Sequence, residues 1–254
     1  MTTHVLGDTR VLTGRSLHHI LRSPDTIITT AVTPIALMLL FVYVFGGAIN
    51  TGSRESYVNY MLPGILLITI ASGIAYTAYR LFLDMQGGIF ERFQSMPIAR
   101  SSVLGAHVLT SLAANLVSVA IVIGVALIAG FRTGASVAAW LAVGGILVLF
   151  TLALTWIAVI AGLSAKTVDG ASAFSYPLIF LPFISSAFVP TDSMPGPVAW
   201  FAENQPVTSI VNTIRSLLAQ EPVGGDIWIA LAWLVGILAV GYAFAITVYR
   251  RKIR

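Results

Sequence analysis

The most constraining feature of this 254-residue sequence is a set of six long windows without Asp, Glu, Lys or Arg. The windows are residues 26–53, 56–79, 101–131, 133–165, 170–191 and 227–249. Each is long enough to cross a bilayer as a helix, which takes roughly 20 predominantly apolar residues. Only 9% of the residues are charged and 57% are hydrophobic, so a water-soluble surface cannot be built from this composition. The sequence therefore predicts an all-α polytopic membrane protein with six transmembrane helices.

The distribution of basic residues predicts which loops face the cytoplasm. An even number of spans places both termini on one side, and cytoplasmic termini put 11 of the 14 Lys and Arg residues inside, as the positive-inside rule expects. The inner residues are Arg10, Arg15, Arg22, Arg80, Arg92, Arg100, Lys166, Arg250, Arg251, Lys252 and Arg254, and the outer ones are Arg54, Arg132 and Arg215. Because these residues flank the spans and form no separate patch, we expect no nucleic-acid partner.

The predicted spans divide the chain into helices and connections of one membrane domain. The spans are about 27–47, 58–79, 103–130, 135–163, 171–190 and 227–249. The fifth carries Pro177 and Pro182 and should be kinked or broken. Residues 4–22 have one apolar and one basic face and predict an amphipathic helix in the inner interface. Residues 192–220 are too long for a tight turn, and we expect short re-entrant helices at the outer leaflet.

Two groups of residues within the predicted spans are candidates for a substrate cleft or a dimer interface. Thr69, Ser72, Gly73 and Tyr76 recur at helical spacing and form a small, weakly polar stripe on the second span. Small residues allow helix backbones to approach closely in a membrane, so this stripe is either a helix-packing face or the lining of a cleft between subunits. The aromatic residues of the fifth span suit an amphipathic cargo, although aromatic residues near span ends also serve as interface anchors. These residues are Phe174, Tyr176 and Phe180.

The connection between the second and third spans contains a further amphipathic segment. The apolar residues Met85, Ile89 and Phe93 fall on one side of a helix over about 85–96, and Pro97 ends it. A helix joined rigidly to two spans would move them when pushed. The periodicity alone is equally typical of an interfacial helix without such a role.

Two motifs resemble those of the ABC type-2 exporter permeases of the daunorubicin, or drug-resistance, type. They are "ERFQSMPIAR" at 91–100 and "FVPTDSMPGPVAWFAENQPVTSIVNTIRSLL" at 188–218, and the resemblance covers most of the chain. One departure is at His107, where many relatives carry a basic residue at or near this position. The resemblance implies that the whole chain, 1–254, is one transmembrane domain of this type in a bacterial cell membrane. It is identified as the permease subunit of an exporter of hydrophobic or amphipathic compounds.

The same resemblance implies partners and a docking site. Two permease subunits, identical or related, would pair, and each would dock a separate ATPase subunit that holds ATP and Mg. The cytoplasmic coupling helix would make this contact through Glu91, Arg92, Phe93, Met96 and Pro97. Substrate would leave through the cleft of the dimer.

The sequence lacks the phosphate-binding loop that an ATPase needs. Such a loop has the pattern Gly-x-x-x-x-Gly-Lys-Ser/Thr, and the nearest string, "AGLSAKT" at 161–167, has Ile160 and Ala165 at the two glycine positions. With no cysteine and no His-Glu-x-x-His motif, we expect no metal site and no catalytic residue. Three alternatives remain open: export of a lipid, glycolipid or polysaccharide precursor, an ion-coupled secondary transporter, and an intramembrane enzyme.

Overall fold

The computed structural model describes residues 24–45, 54–87 and 100–252. All regular secondary structure in these ranges is helical, which confirms the predicted all-α class. The predicted interfacial helix at 4–22 and residues 88–96 of the predicted coupling helix lie outside the described residues.

The helices follow one another along the chain with short connections. The first part of the fold comprises α1 (Pro24–Leu40), which continues as a π-helical turn (Phe41–Phe45), α2 (Arg54–Gln86), α3 (Arg100–Ile128) and α4 (Val137–Ser164). The second part comprises α5 (Val168–Ala173), α6 (Ser175–Phe180), 3-10 turns at Leu181–Ile184 and Thr191–Ser193, α7 (Gly196–Asn204), α8 (Pro206–Ala219) and α9 (Asp226–Lys252).

Among the residues that the structure describes, four helices are long and apolar enough to cross a membrane. They are α2, α3, α4 and α9, and they correspond to the second, third, fourth and sixth predicted spans. The first predicted span contains the shorter apolar helical stretch Thr30–Phe45, and the fifth overlaps with Val168–Ile184. The count of six spans therefore stays a prediction.

α2 is longer than the predicted second span of 58–79. It runs through Arg80 to Gln86, and it includes the start of the segment assigned from the sequence to a separate coupling helix. The prediction ended the span at Arg80 because a charge is unfavourable in hydrocarbon. A charge does not break helical hydrogen bonding, and after Arg80 the next glycine, a poor helix former, is Gly87.

The region predicted as the fifth span is broken, as its prolines indicated. Thr167 caps α5, accepting a hydrogen bond from the backbone N–H of Gly170 at 3.1 Å. α5 ends at Ala173, α6 starts at Ser175 with Pro177 in its first turn, and the 3-10 turn begins at Leu181 next to Pro182. Proline lacks the N–H that a continuous helix requires, which accounts for the change at Pro182.

α2 is the central helix of the fold. It packs against α1, α3, α4, α5, α6 and α8, and 78% of its spanning window is buried, against 22% for α9. Every residue from Met61 to Ile70 is buried. α9 packs mainly on α4 and α8 and leaves a large apolar surface, which suits a helix facing lipid or another subunit.

The connection before α9 contains short helices. The re-entrant position at the outer leaflet that the sequence predicts for 192–220 stays a prediction. Pro206 starts α8, where its missing N–H costs nothing. The apolar stripe of α8 is buried against the other helices, and its fully or nearly fully buried members are Val207, Ile210, Val211, Ile214 and Leu218. The structure thus docks this segment firmly on the bundle.

Candidate functional site

The predicted stripe on α2 is divided between interior packing and partial exposure. Thr69 is fully buried, and its hydroxyl donates a hydrogen bond to the carbonyl oxygen of Ile65 at 2.7 Å. Gly73 lies against Asn115 of α3, so closely that a Cβ atom at Gly73 would overlap the amide oxygen. Ser72 and Tyr76 are only half-buried. Within this chain the stripe therefore includes a helix-packing face, and two of its members remain partly accessible.

A buried polar cluster joins α2, α3 and α4 close to this stripe. The Thr77 hydroxyl donates to Ser111 Oγ at 2.8 Å, and Ser111 Oγ lies 3.2 Å from the hydroxyl oxygen of Thr155. Asn115 Nδ2 donates to the carbonyl oxygen of Ser111 at 2.9 Å. Its amide oxygen is buried and has no hydrogen-bond partner among the described residues. Hydrogen bonds of this kind hold helices together in membranes, and sequence reasoning missed them because single polar residues in apolar windows do not reveal their partners.

One ion pair connects the ends of α2 and α3 that are predicted to face the cytoplasm. His107 Nε2 lies 3.1 Å from Asp84 Oδ2, and the two side chains are 17% and 30% exposed. This is the only ion pair among the side chains that the structure describes. The sequence indicated that His107 lies near an inner span end, but it gave no sign of the partner.

At the opposite end of α2, Arg215 of α8 forms hydrogen bonds with α2, with the segment that contains Ser186 and with α8 itself. Its Nε donates to the carbonyl oxygen of Tyr60 at 3.2 Å and its Nη2 donates to that of Ser186 at 2.7 Å. Its Nη1 donates to Asn212 Oδ1 at 3.1 Å, and its guanidinium lies 3.8 Å from the centroid of the Tyr60 ring. Burial lowers the pKa of the Arg215 guanidinium, which nonetheless stays protonated because an arginine is not deprotonated in proteins.

The comparison with protein families decides what kind of membrane protein this is. The model of the ABC-2 type transporter family matches residues 8–219, which is most of the chain. The chain belongs to the ABC-2 type transporter family. This confirms the resemblance found in the sequence.

Two individual ABC-2 relatives are similar to the chain over nearly its whole length. The daunorubicin resistance ABC transporter permease protein DrrB1 of Streptomyces coeruleorubidus is 27% identical over 233 residues, which cover 90% of this chain and 81% of the relative. The probable doxorubicin resistance ABC transporter permease protein DrrC of Mycobacterium tuberculosis is 26% identical over 252 residues, covering 95% and 90%.

Three predicted cleft residues of this ABC-2 chain lie on different faces of the broken segment that contains α5 and α6. Phe174 is half-buried and packs against the main apolar cluster. Tyr176 and Phe180 are each 61% exposed. The structure thus separates residues that the sequence analysis treated as one group.

The predicted ATPase-docking residues of this ABC-2 chain lie in the connection between α2 and α3. Glu91, Arg92, Phe93, Met96 and Pro97 are outside the described residues. Their docking role stays a prediction. The described residues include the end of α2 and the start of α3, which flank the predicted docking residues. The Asp84–His107 ion pair joins these two helices.

Proposed function

We propose that this chain is the membrane-spanning permease subunit of an ATP-driven exporter. Its cargo is a hydrophobic or amphipathic compound of the drug or antibiotic class, moved outward from the inner leaflet or the cytoplasm. The observation that carries the proposal is the family match over residues 8–219. The names of the two relatives, which refer to daunorubicin and doxorubicin resistance, support the class of cargo.

In this proposal the chain works with two kinds of partner. A separate ATPase subunit binds ATP and Mg and docks on the connection between α2 and α3 through Glu91, Arg92, Phe93, Met96 and Pro97. A second permease subunit, identical or related, completes the transporter. The chain has six spans with both termini on the cytoplasmic side of a bacterial cell membrane, and the positive-inside distribution of Lys and Arg supports this orientation.

The burial of the candidate residues refines the proposed route. Ser72, Tyr76, Tyr176 and Phe180 keep accessible surface, so we propose that they line the cleft or the dimer interface. Thr69, Gly73 and Phe174 take part in packing within one chain, so we propose that they support the residues that line the cleft.

ATP hydrolysis supplies the free energy for export, and differential affinity for nucleotide couples it to a change of conformation. ATP shifts a permease between two arrangements only if the ATPase subunits bind it more tightly in one of them. In this proposal, the connection between α2 and α3 converts that difference into helix movement.

The test is ATP-dependent uptake of daunorubicin into inside-out vesicles that contain the chain and its ATPase subunit. We expect uptake with ATP and none with a non-hydrolysable analogue. Phe93→Ala should weaken copurification of the ATPase and uptake, whereas Gln94→Ala, on the opposite face of the predicted helix, should leave both intact. Uptake driven by an ion gradient without nucleotide would contradict the proposal and support a secondary transporter. ATP-dependent movement of a fluorescent lipid but not of daunorubicin would reassign the cargo.

A further inference from the structure

The Asp84–His107 pair is not explained by the stability of either helix alone. Asp84 lies in the last turn of α2, where the negative end of the helix dipole disfavours a carboxylate. His107 lies near the start of α3 but beyond the first turn, which is where the helix dipole acts on a charge. Ionisable residues at a membrane are costly and mark functional positions more often than structural ones. The favourable partner of each group is therefore the other group, across the two helices.

A separate apolar cluster contains residues that neighbour Asp84 and His107 along α2 and α3. We call it the inner cluster, and its buried members are Leu81 of α2, Leu104 and Val108 of α3, Val159 and Leu163 of α4, and Ala245 and Tyr249 of α9. Asp84 lies one turn beyond Leu81, and His107 is the neighbour of Val108. None of the described residues of α1, α5 or α6 is a buried member of the inner cluster. The ends of four helices are thus packed together apart from the main core.

The backbones of α2 and α4 approach closely at this level. A Cβ atom at Gly162 of α4 would lie 2.8 Å from the carbonyl oxygen of Ala78 and 3.2 Å from Leu81 Cβ. This close contact leaves no space for α2 and α4 to slide past each other, because packed interiors have few voids. A displacement of α2 is therefore transmitted to α4. α4 therefore packs against α2 by close backbone contact. α3 is linked to α2 at this end by the ion pair and by apolar contact, and further along both helices by the Thr77–Ser111 hydrogen bond.

We propose that Asp84 and His107 are a positioning pair for transport. They hold the ends of α2 and α3 together, so that a displacement of the connection between these helices moves α2, α3, α4 and α9 as one unit. Without the pair, the ends of α2 and α3 separate, and part of the displacement is lost. This inference rests on the proposed function, because it requires an ATPase subunit that acts on that connection.

The first measurement is the amount of daunorubicin transported per ATP hydrolysed by the reconstituted complex. Asp84→Ala and His107→Ala should each lower this ratio by at least about fivefold, which is the lower end of the coupling typically found between two sites. Copurification of the ATPase subunit and ATP hydrolysis should persist in both variants. The exchange variant Asp84→His with His107→Asp should restore the ratio, since the pair is re-formed. Asp169→Ala, which removes an exposed acidic residue in the first turn of α5, should match the parent.

A second measurement does not depend on the cargo. The chain has no cysteine, so Ser72→Cys provides a single reporter on α2. In the parent complex, trapping with ATP and vanadate should change its rate of maleimide labelling, and either alanine variant should abolish that change. An unchanged ratio and an unchanged labelling response in both alanine variants would overturn the positioning role while leaving the exporter intact. A parent complex that neither assembles with an ATPase nor responds to ATP would overturn the proposed function, and the positioning role with it.

Discussion

At the scale of single residues, the contact between Gly73 and Asn115 shows how closely α2 and α3 approach each other. Asn115 is 2% exposed, and its Nδ2 is held by the carbonyl oxygen of Ser111. Its amide oxygen faces the space where a side chain at Gly73 would be. Because rotation of Asn115 would break a buried hydrogen bond, the absence of a side chain at Gly73 is a packing requirement.

Gly73→Ala should therefore destabilise the protein by about 1–3 kcal/mol, the usual cost of overpacking a core. Gly144→Ala is the matched control, because no atom lies within 4 Å of a Cβ atom added to this glycine of α4. The control should be neutral or slightly stabilising, since alanine is the better helix former. Thermal unfolding of the two variants in detergent measures the difference. Equal stability would show that Asn115 has room to rotate.

At the scale of elements, α8 contacts the rest of the fold through one arginine in addition to its apolar stripe. Arg215 reaches the carbonyl oxygens of Tyr60 on α2 and of Ser186, which follows the 3-10 turn at Leu181–Ile184. Ser186 Oγ also donates to Asn212 Oδ1 at 2.7 Å, so the same junction has a second link to α8. Arg215 thus fixes the position of α8 relative to α2 and to the segment that contains Ser186.

Arg215→Gln should loosen α8, because the acceptors on Tyr60 and Ser186 lose a charged donor. The expected loss of stability is at least about 2 kcal/mol, given that hydrogen bonds to charged groups contribute about 1.5–3 kcal/mol. Limited proteolysis should then cut between residues 191 and 219 faster than in the parent. Arg250→Gln, at an exposed position near the end of α9, is the control and should have no effect. Unchanged proteolysis of Arg215→Gln would show that the apolar stripe alone fixes α8.

At the scale of the whole molecule, orientation in the membrane determines whether an ATPase can reach the connection between α2 and α3. The predicted cytoplasmic side also contains the short connection from α4 to α5 with Lys166, and the opposite side contains the connection from α3 to α4 with Gly134. Both residues are exposed. They are therefore suitable reporters of the two sides.

An impermeant maleimide added to intact cells should label Gly134→Cys and leave Lys166→Cys unlabelled until the cells are permeabilised. The reason is the excess of basic residues on the predicted inner side, which sets orientation. The parent chain is a clean background, since it has no cysteine. Labelling of Lys166→Cys in intact cells would place the proposed docking connection outside and contradict ATP-driven export.

The sequence by itself determined the helical membrane class, the break near Pro177 and Pro182, and the apolar stripe of α8. It also carried the family resemblance. These features depend on local composition, on helical period and on short motifs, all of which can be read within a few turns of chain. The boundary of α2 was less certain, because a charge such as Arg80 limits a span without ending a helix.

Only the tertiary structure decided which residues meet. The Asp84–His107 pair, the junction of Arg215 with Tyr60 and Ser186, and the outward position of Tyr176 depend on how separate helices pack. A single polar residue in an apolar window has many possible partners in the sequence, and helix packing selects one of them. For this reason the sequence predicted the helices and the kind of protein, whereas the contacts between the helices required the fold.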